Sequence, residues 1–155
     1  MKLLFKQRFF SWLDSYDIYY EDGSTAYTVK GKLSWGHRLE IYDPYGNHIA
    51  TLNEKVLTFL PRFQIFIGGV YRGEIVKEFT FFKPSFSIDC NGWSVEGDFW
   101  QWDYQIKQGT FTVATIQKEL FRWTDTYVID VQNPADALLA LMVTLAIDAV
   151  KCNQK

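Results

Sequence analysis

The chain reads as a mainly β protein. Its antiparallel strands form a closed or sandwich-like arrangement of two duplicated meanders, with one buried helix near the C-terminal end. Three observations point there. Short runs of alternating apolar and polar residues recur about every eight to twelve residues, with turn chemistry between them. Four of these runs repeat in the same order at an offset of 64–66 residues. The last long segment, residues 135–150, is apolar almost throughout. Aromatic side chains make up 18% of the 155 residues, a load that suits pleated, half-buried surfaces.

Taken in order, residues 2–8 and 18–20 read as strands around a loop at 12–15, and Asp22-Gly23 as a hairpin turn. Across 27–33 the alternation is clean: Tyr27, Val29 and Leu33 face one way, and Thr28, Lys30 and Lys32 the other. That is the pattern of a half-buried antiparallel strand. Residues 39–42, a turn at 43–47 and residues 49–52 follow, then 63–67 running into Gly68-Gly69. Residues 71–82 continue as strand, with a hairpin at Arg72-Gly73 as one reading of that glycine. Residues 86–88 precede Asn91-Gly92, among the strongest short-range hairpin signals. Runs at 93–97, 104–106, 111–116 and 127–131 complete the set.

The repeat links Tyr27, Val29 and Gly31 to Trp93, Val95 and Gly97, then Leu39 and Ile41 to Tyr104 and Ile106. It goes on to match residues 49–52 with 113–116, and Phe63 and Ile65 with Tyr127 and Ile129. The expectation is one domain over residues 1–155, with repeat units at about 27–67 and 93–131.

The final helix is expected over 134–150, with Asn133 as N-cap, Pro134 at the first position and Asp136 in the first turn. The sixteen residues 135–150 span about 24 Å, short of the twenty or so apolar residues a membrane crossing needs. Leu138, Leu139, Leu141, Met142, Val143, Leu145 and Ile147 cover most of the wheel; Asp136, Ala140, Thr144 and Asp148 form one thin seam. A helix apolar nearly all round must be buried, and only β-sheet is at hand to bury it.

Charge is nearly balanced, at a formal −2, which argues against bulk binding to nucleic acid. Cys90 and Cys152 are far apart and fit no metal or CxxC spacing, and the start MKLLFKQRFF lacks a signal-peptide pattern. A reduced, cytoplasmic setting is expected. His37 and His48 lack ligand-spaced partners, and no P-loop, GxGxxG, GxSxG or HExxH string occurs, so neither metal nor cofactor is expected.

Several strings resemble a known family. These are Lys2-Leu-Leu-Phe-Lys-Gln, Leu60-Pro-Arg-Phe63 leading into Ile65-Phe-Ile67-Gly-Gly, Lys77-Glu-Phe-Thr-Phe-Phe-Lys-Pro84 and Trp93-Ser-Val-Glu-Gly-Asp-Phe99. Together with the duplicated meander and terminal apolar helix, the whole chain resembles a bacterial member of the LURP-one-related family, within the tubby C-terminal-domain-like superfamily. That resemblance implies a closed, roughly twelve-stranded barrel filled by the C-terminal helix, an architecture shared with phospholipid scramblases. Tubby domains bind phosphoinositide head groups through basic residues, but no such motif matches here residue by residue. The membrane segment and cysteine-rich lipidation sites of scramblase-like members have no counterpart.

Candidate chemistry is sparse. Lys30, Lys32, His37 and Arg38 surround a hairpin carrying Trp35, as an anionic head-group site would require; the plainer alternative is a solvated strand face near Glu40 and Asp43. Lys2, Lys6 and Arg8, interleaved with Phe5, Phe9, Phe10 and Trp12, form a second such patch with the same alternative. Residues 99–104 read as a stacking platform or, more plainly, as aromatics packed on the barrel. Glu96 and Asp98 read as paired carboxylates or as solvated charges, and Asp148 as a buried functional acid or a partner at the helix end.

Two functions follow. One is a non-enzymatic module binding anionic lipid head groups or phosphate at a membrane surface, cytoplasmic and peripheral. The other is a cytosolic protein-interaction or scaffold domain anchored by exposed aromatics such as Trp35 or Trp102. An enzyme ranks last, since no nucleophile, base and orienting group come together.

Overall fold

Alternating apolar residues build a wall with one dry face. In the structure, a computed structural model, residues 1–6, 15–32, 34–79, 85–121 and 124–153 are described, with only the backbone at 120, 121, 124, 125, 152 and 153. The first six strands are β1 (Lys2–Lys6), β2 (Ser15–Tyr20), β3 (Thr25–Lys32), β4 (Arg38–Tyr42), β5 (His48–Glu54) and β6 (Arg62–Ile67). The second six are β7 (Val70–Glu78), β8 (Ser85–Ile88), β9 (Trp93–Asp98), β10 (Asp103–Gln108), β11 (Phe111–Phe121) and β12 (Thr124–Val131). Each strand pairs antiparallel with its sequence neighbours, and β1 against β12 closes the barrel. Closure leaves no long free edge to template aggregation.

The halves share their registers. Val29 faces Ile41 as Val95 faces Ile106. Ile41 then faces Ala50 and Ile106 faces Ala114, and in both pairs the register slips just after that isoleucine. Leu52 meets Ile65 as Ile116 meets Ile129. A bulge at one position in both halves is a backbone feature that composition alone does not produce. The correspondence reaches the first two strands of each half: Phe5 opposite Tyr127 matches Ile75 opposite Phe63, and Tyr16 opposite Val29 matches Phe86 opposite Val95.

Every strand contributes an aliphatic side chain to the interior: Leu3, Ile18, Val29, Ile41, Leu52, Ile65, Ile75, Ile88, Val95, Ile106, Ile116 and Ile129 are all essentially inaccessible. The space they enclose is filled by α1 (Ala137–Asn153), which follows a short 3-10 turn, Pro134–Asp136. The Asn133 side chain accepts from the Ala135 N–H at 3.1 Å, capping that turn. Leu141, Met142, Val143, Leu145 and Ile147 are buried, whereas Leu138 and Leu139 are half-buried and pack against the core near the helix entrance.

Two expectations need correction. Ala140 and Thr144 are fully buried, so no polar seam runs along the helix; the Thr144 hydroxyl donates to the Ala140 carbonyl at 2.9 Å. Exposure falls at the two ends instead, at Asp136, Leu138 and Leu139 and at Asp148 and Lys151. A helix enclosed by a barrel meets solvent along its axis, not around its wheel. The Arg72-Gly73 hairpin is also absent, since β7 runs straight through it. Gly73 (φ +139) instead allows a close approach: a Cβ there would lie 2.3 Å from Asp89 Oδ1 and 2.8 Å from Cys90 Cβ. Leu33, the loop at 12–14 and residues 80–84 lie outside the described residues.

Strand alternation makes the two mouths of the barrel different. At one, β2 meets β3, β4 meets β5, β6 meets β7, β8 meets β9 and β10 meets β11, and the helix enters. Those turns are tight, as at Asp22-Gly23, Gly68-Gly69 and Asn91-Gly92, and Tyr45, Val70, Tyr71 and Phe111 are exposed on or beside them. At the other mouth β3 meets β4, β5 meets β6 and β9 meets β10, and the helix ends. Trp35, Leu57, Phe59 and Trp100 are exposed on those connections, with Phe79 just past the end of β7.

Candidate functional site

The β3–β4 hairpin opens at this second mouth. Cross-strand pairing sets Lys30 opposite Glu40 and Lys32 opposite Arg38, so these side chains share the outer wall of the barrel. Lys30 and Lys32 are exposed, and neither enters an ion pair among the described residues. The Lys30 ammonium lies 4.7 Å from the centre of the Tyr42 ring. Trp35, at the hairpin tip, is 88% exposed.

The other two candidates are engaged. His37 Nδ1 contacts the Glu54 carboxylate, and the Glu54 N–H donates to the His37 carbonyl at 2.8 Å. Arg38 meets Glu40 at 3.4 Å, while its Nε, shielded from solvent, has no hydrogen-bond partner among the described residues. Burial pushes the Glu40 carboxyl up, but the Tyr42 hydroxyl and the charges of His48, Arg38 and Lys32 outweigh it and hold it below its usual value. Tyr42 donates to Glu40 at 2.5 Å. The structure thus groups all five residues at one hairpin and leaves Lys30 and Lys32 exposed and outside any ion pair among the described residues.

A second feature at this mouth escaped the sequence reading. Between β5 and β6, residues 55–61 form a tongue whose base is closed by Lys55 N–H donating to the Arg62 carbonyl at 2.9 Å. Lys55 Nζ and Arg62 reach the same buried carboxylate, Glu74, at 3.1 and 3.5 Å. The tongue packs on the hairpin at Gly36 (φ +83), where a Cβ would lie 2.9 Å from both the Glu54 carbonyl and Val56 Cγ1. Its only signal in the sequence is the unalternating apolar run Val56-Leu-Thr-Phe-Leu60, with Pro61 ending it.

The remaining candidates are resolved by packing. Phe99, Trp102 and Tyr104 are buried, with Trp102 stacked on Tyr127 at 3.9 Å and covered by the Lys151 ammonium at 4.1 Å. Trp102 therefore offers no exposed anchor, and of the aromatics in that run only Trp100 faces solvent. Burial pushes the Tyr104 hydroxyl well up, with Thr144 and Asp148 of the helix close by. Glu96 pairs with Lys107 at 3.2 Å and lines a cleft of about 540 Å³ with Asp103 and Gln105, whereas Asp98 accepts from the Trp100 and Gln101 N–H groups at 3.1 Å. The two carboxylates are thus engaged separately. Phe5 is buried against Tyr127; Arg8, Phe9, Phe10 and Trp12 lie outside the described residues. Among the described residues no group of three or more His, Cys, Asp or Glu side chains is placed to hold a metal.

A family model described as LURP-one-related matches residues 1–148. The chain belongs to the LURP-one-related family. Among the relatives of this LURP-one-related protein is the uncharacterised protein YxjI of Bacillus subtilis (strain 168). It is 30% identical over 156 residues, covering 100% of this chain and 96% of YxjI. An X-ray structure of an Arabidopsis thaliana protein superposes with a TM-score of 0.68 at 18% identity, covering 97% of this chain and 90% of that one. Likeness at that identity establishes the fold alone. Among the described residues of this family member, no helix is long and apolar enough to cross a membrane.

Proposed function

We propose that this LURP-one-related protein is a non-enzymatic binding module that recognises anionic lipid head groups, or the phosphate they carry, at a membrane surface. The observation that carries the reading is the β3–β4 hairpin, where exposed Lys30 and Lys32 stand beside an outward Trp35. Ammonium groups attract lipid phosphate, and an indole favours the headgroup layer, where its ring is half in and half out of water. His37 and Arg38, already facing Glu54 and Glu40, contribute less to the binding charge. A cytoplasmic position peripheral to the membrane goes with this reading.

The test is co-sedimentation of the full chain with phosphatidylcholine vesicles, with and without phosphatidylserine. Binding is expected only with the anionic lipid and fades as salt is added. Replacing Lys30→Glu and Lys32→Glu together weakens it by about tenfold or more, at ~1 kcal/mol per cation near the surface and tenfold per ~1.4 kcal/mol. No binding to anionic vesicles at low salt would overturn the proposal. If instead an affinity-captured protein partner is lost with Trp35→Ala while vesicles are ignored, the scaffold reading takes its place.

A further inference from the structure

We infer that the contact is insertion into a bilayer: the tongue at residues 55–61 wedges Leu57 and Phe59 into the interfacial layer of an anionic membrane beside Trp35. This rests on the lipid reading of the β3–β4 hairpin and names how the same mouth of the barrel meets its partner.

The tongue is braced, yet its apolar tips face water. Lys55 N–H donates to the Arg62 carbonyl at 2.9 Å, and Lys77 N–H donates to the Pro61 carbonyl at 3.1 Å, so its base is tied to β6 and β7. The Glu54 N–H reaches the His37 carbonyl, fixing the tongue against the Trp35 hairpin. Above this base Leu57 is wholly exposed and Phe59 is 91% exposed. Leu57 also holds φ at +60, a backbone region where a branched side chain is disfavoured and glycine or asparagine is the usual occupant. A strained, rigidly presented leucine gains nothing in water. It gains transfer free energy once it enters an apolar phase.

The surrounding charge selects the partner. Lys55 and Arg62 share the single carboxylate of Glu74, which is buried, so one positive charge is left over at the base of the tips. Glu54, in contact with His37, brings one carboxylate to the same region, and Lys32 adds a further exposed cation. Apolar tips above a base of net positive charge match a bilayer bearing anionic lipid, where buried apolar area and attraction to phosphate act together.

Vesicle co-sedimentation of the full chain tests this with two variants and one competitor. Leu57→Asp combined with Phe59→Ser is expected to weaken binding to phosphatidylserine-containing vesicles by about tenfold or more, because each apolar side chain loses its transfer free energy. Leu57→Gly removes the wedge while relaxing its backbone, so it weakens vesicle binding with a melting temperature equal to or above that of the unmodified protein. Inorganic phosphate at concentrations that match the vesicle phosphate leaves the protein on the vesicles. Variants that bind as tightly as the unmodified chain would overturn insertion, and the head-group reading would stand if Lys30→Glu with Lys32→Glu still weakens binding. Full displacement by inorganic phosphate would likewise overturn insertion, in favour of a phosphate site. Failure of the unmodified chain to bind any anionic vesicle overturns both readings.

Discussion

At the scale of single residues, Glu40 controls how much positive charge the β3–β4 hairpin displays. It lies opposite Lys30, faces Arg38 and accepts from Tyr42. Its folded-state carboxyl titrates below its ordinary value: burial raises it, but Tyr42, His48, Arg38 and Lys32 together lower it further. A depressed carboxylate stabilises the fold above its unfolded pKa, and that contribution is lost as pH falls through the lower folded value. Melting temperature followed from neutral to acid pH should therefore drop less steeply in Glu40→Gln than in the unmodified chain. The same variant releases Arg38, so its binding to anionic vesicles should tighten by about fivefold, for roughly 1 kcal/mol per cation. Such engagement is invisible in a linear sequence. Lys30, Lys32, His37 and Arg38 look equivalent there, and only cross-strand register separates the two lysines from the pair held by Glu54 and Glu40.

Among the elements, the C-terminal helix shows both the reach and the limit of reading periodicity. Its apolar composition implies burial, which the structure shows; Asn133 and Pro134 open a 3-10 turn instead, and the α-helix starts three residues later at Ala137 and runs to Asn153. The wheel failed over Ala140 and Thr144 because it measures angle, whereas a plug is exposed by position along its axis. Gly73 was misread for a related reason. In an alternating run a glycine marks either a turn or a close approach, and the approach here comes from Asp89 and Cys90, well away in sequence. The tongue at 55–61 went unread because an apolar run between strands looks like more strand until its exposure is known. Trp102 was misjudged in the opposite sense, since Lys151 from the helix covers its ring. If the helix is the core around which both meanders close, deleting residues from Pro134 onward should abolish cooperative thermal unfolding and near-ultraviolet dichroism. A truncated chain that stays soluble, monomeric and cooperatively folded would contradict that role.

At the scale of the whole molecule, the barrel has two unlike ends, and strand alternation alone dictates which connections share an end. Tight turns and the helix entrance occupy one mouth, where Tyr45, Val70, Tyr71 and Phe111 are exposed without, among the described residues, a cluster of lysines and arginines like that at the other end. Exposed Trp35, Leu57 and Phe59, with Lys32, Lys55 and Arg62 behind them, occupy the other. The duplication puts Trp100, the counterpart of Trp35, at that same mouth, but with Glu96, Asp98 and Asp103 nearby in place of the lysines. The two meanders therefore share a fold while presenting opposite charge, and the proposed docking predicts that the first half lies closer to an anionic surface than the second.

The most direct test is a depth measurement on the bound protein. With Cys90 and Cys152 replaced by serine, a single nitroxide is placed at Leu57 or at Tyr45, which is equally exposed on the β4–β5 turn at the opposite mouth. On phosphatidylserine-containing vesicles the label at 57 should become shielded from a water-soluble relaxation agent and accessible to oxygen dissolved in the lipid, while the label at 45 stays in water. Two labels that both remain aqueous on vesicle-bound protein, or a shielded label at 45, would contradict end-on docking through this mouth.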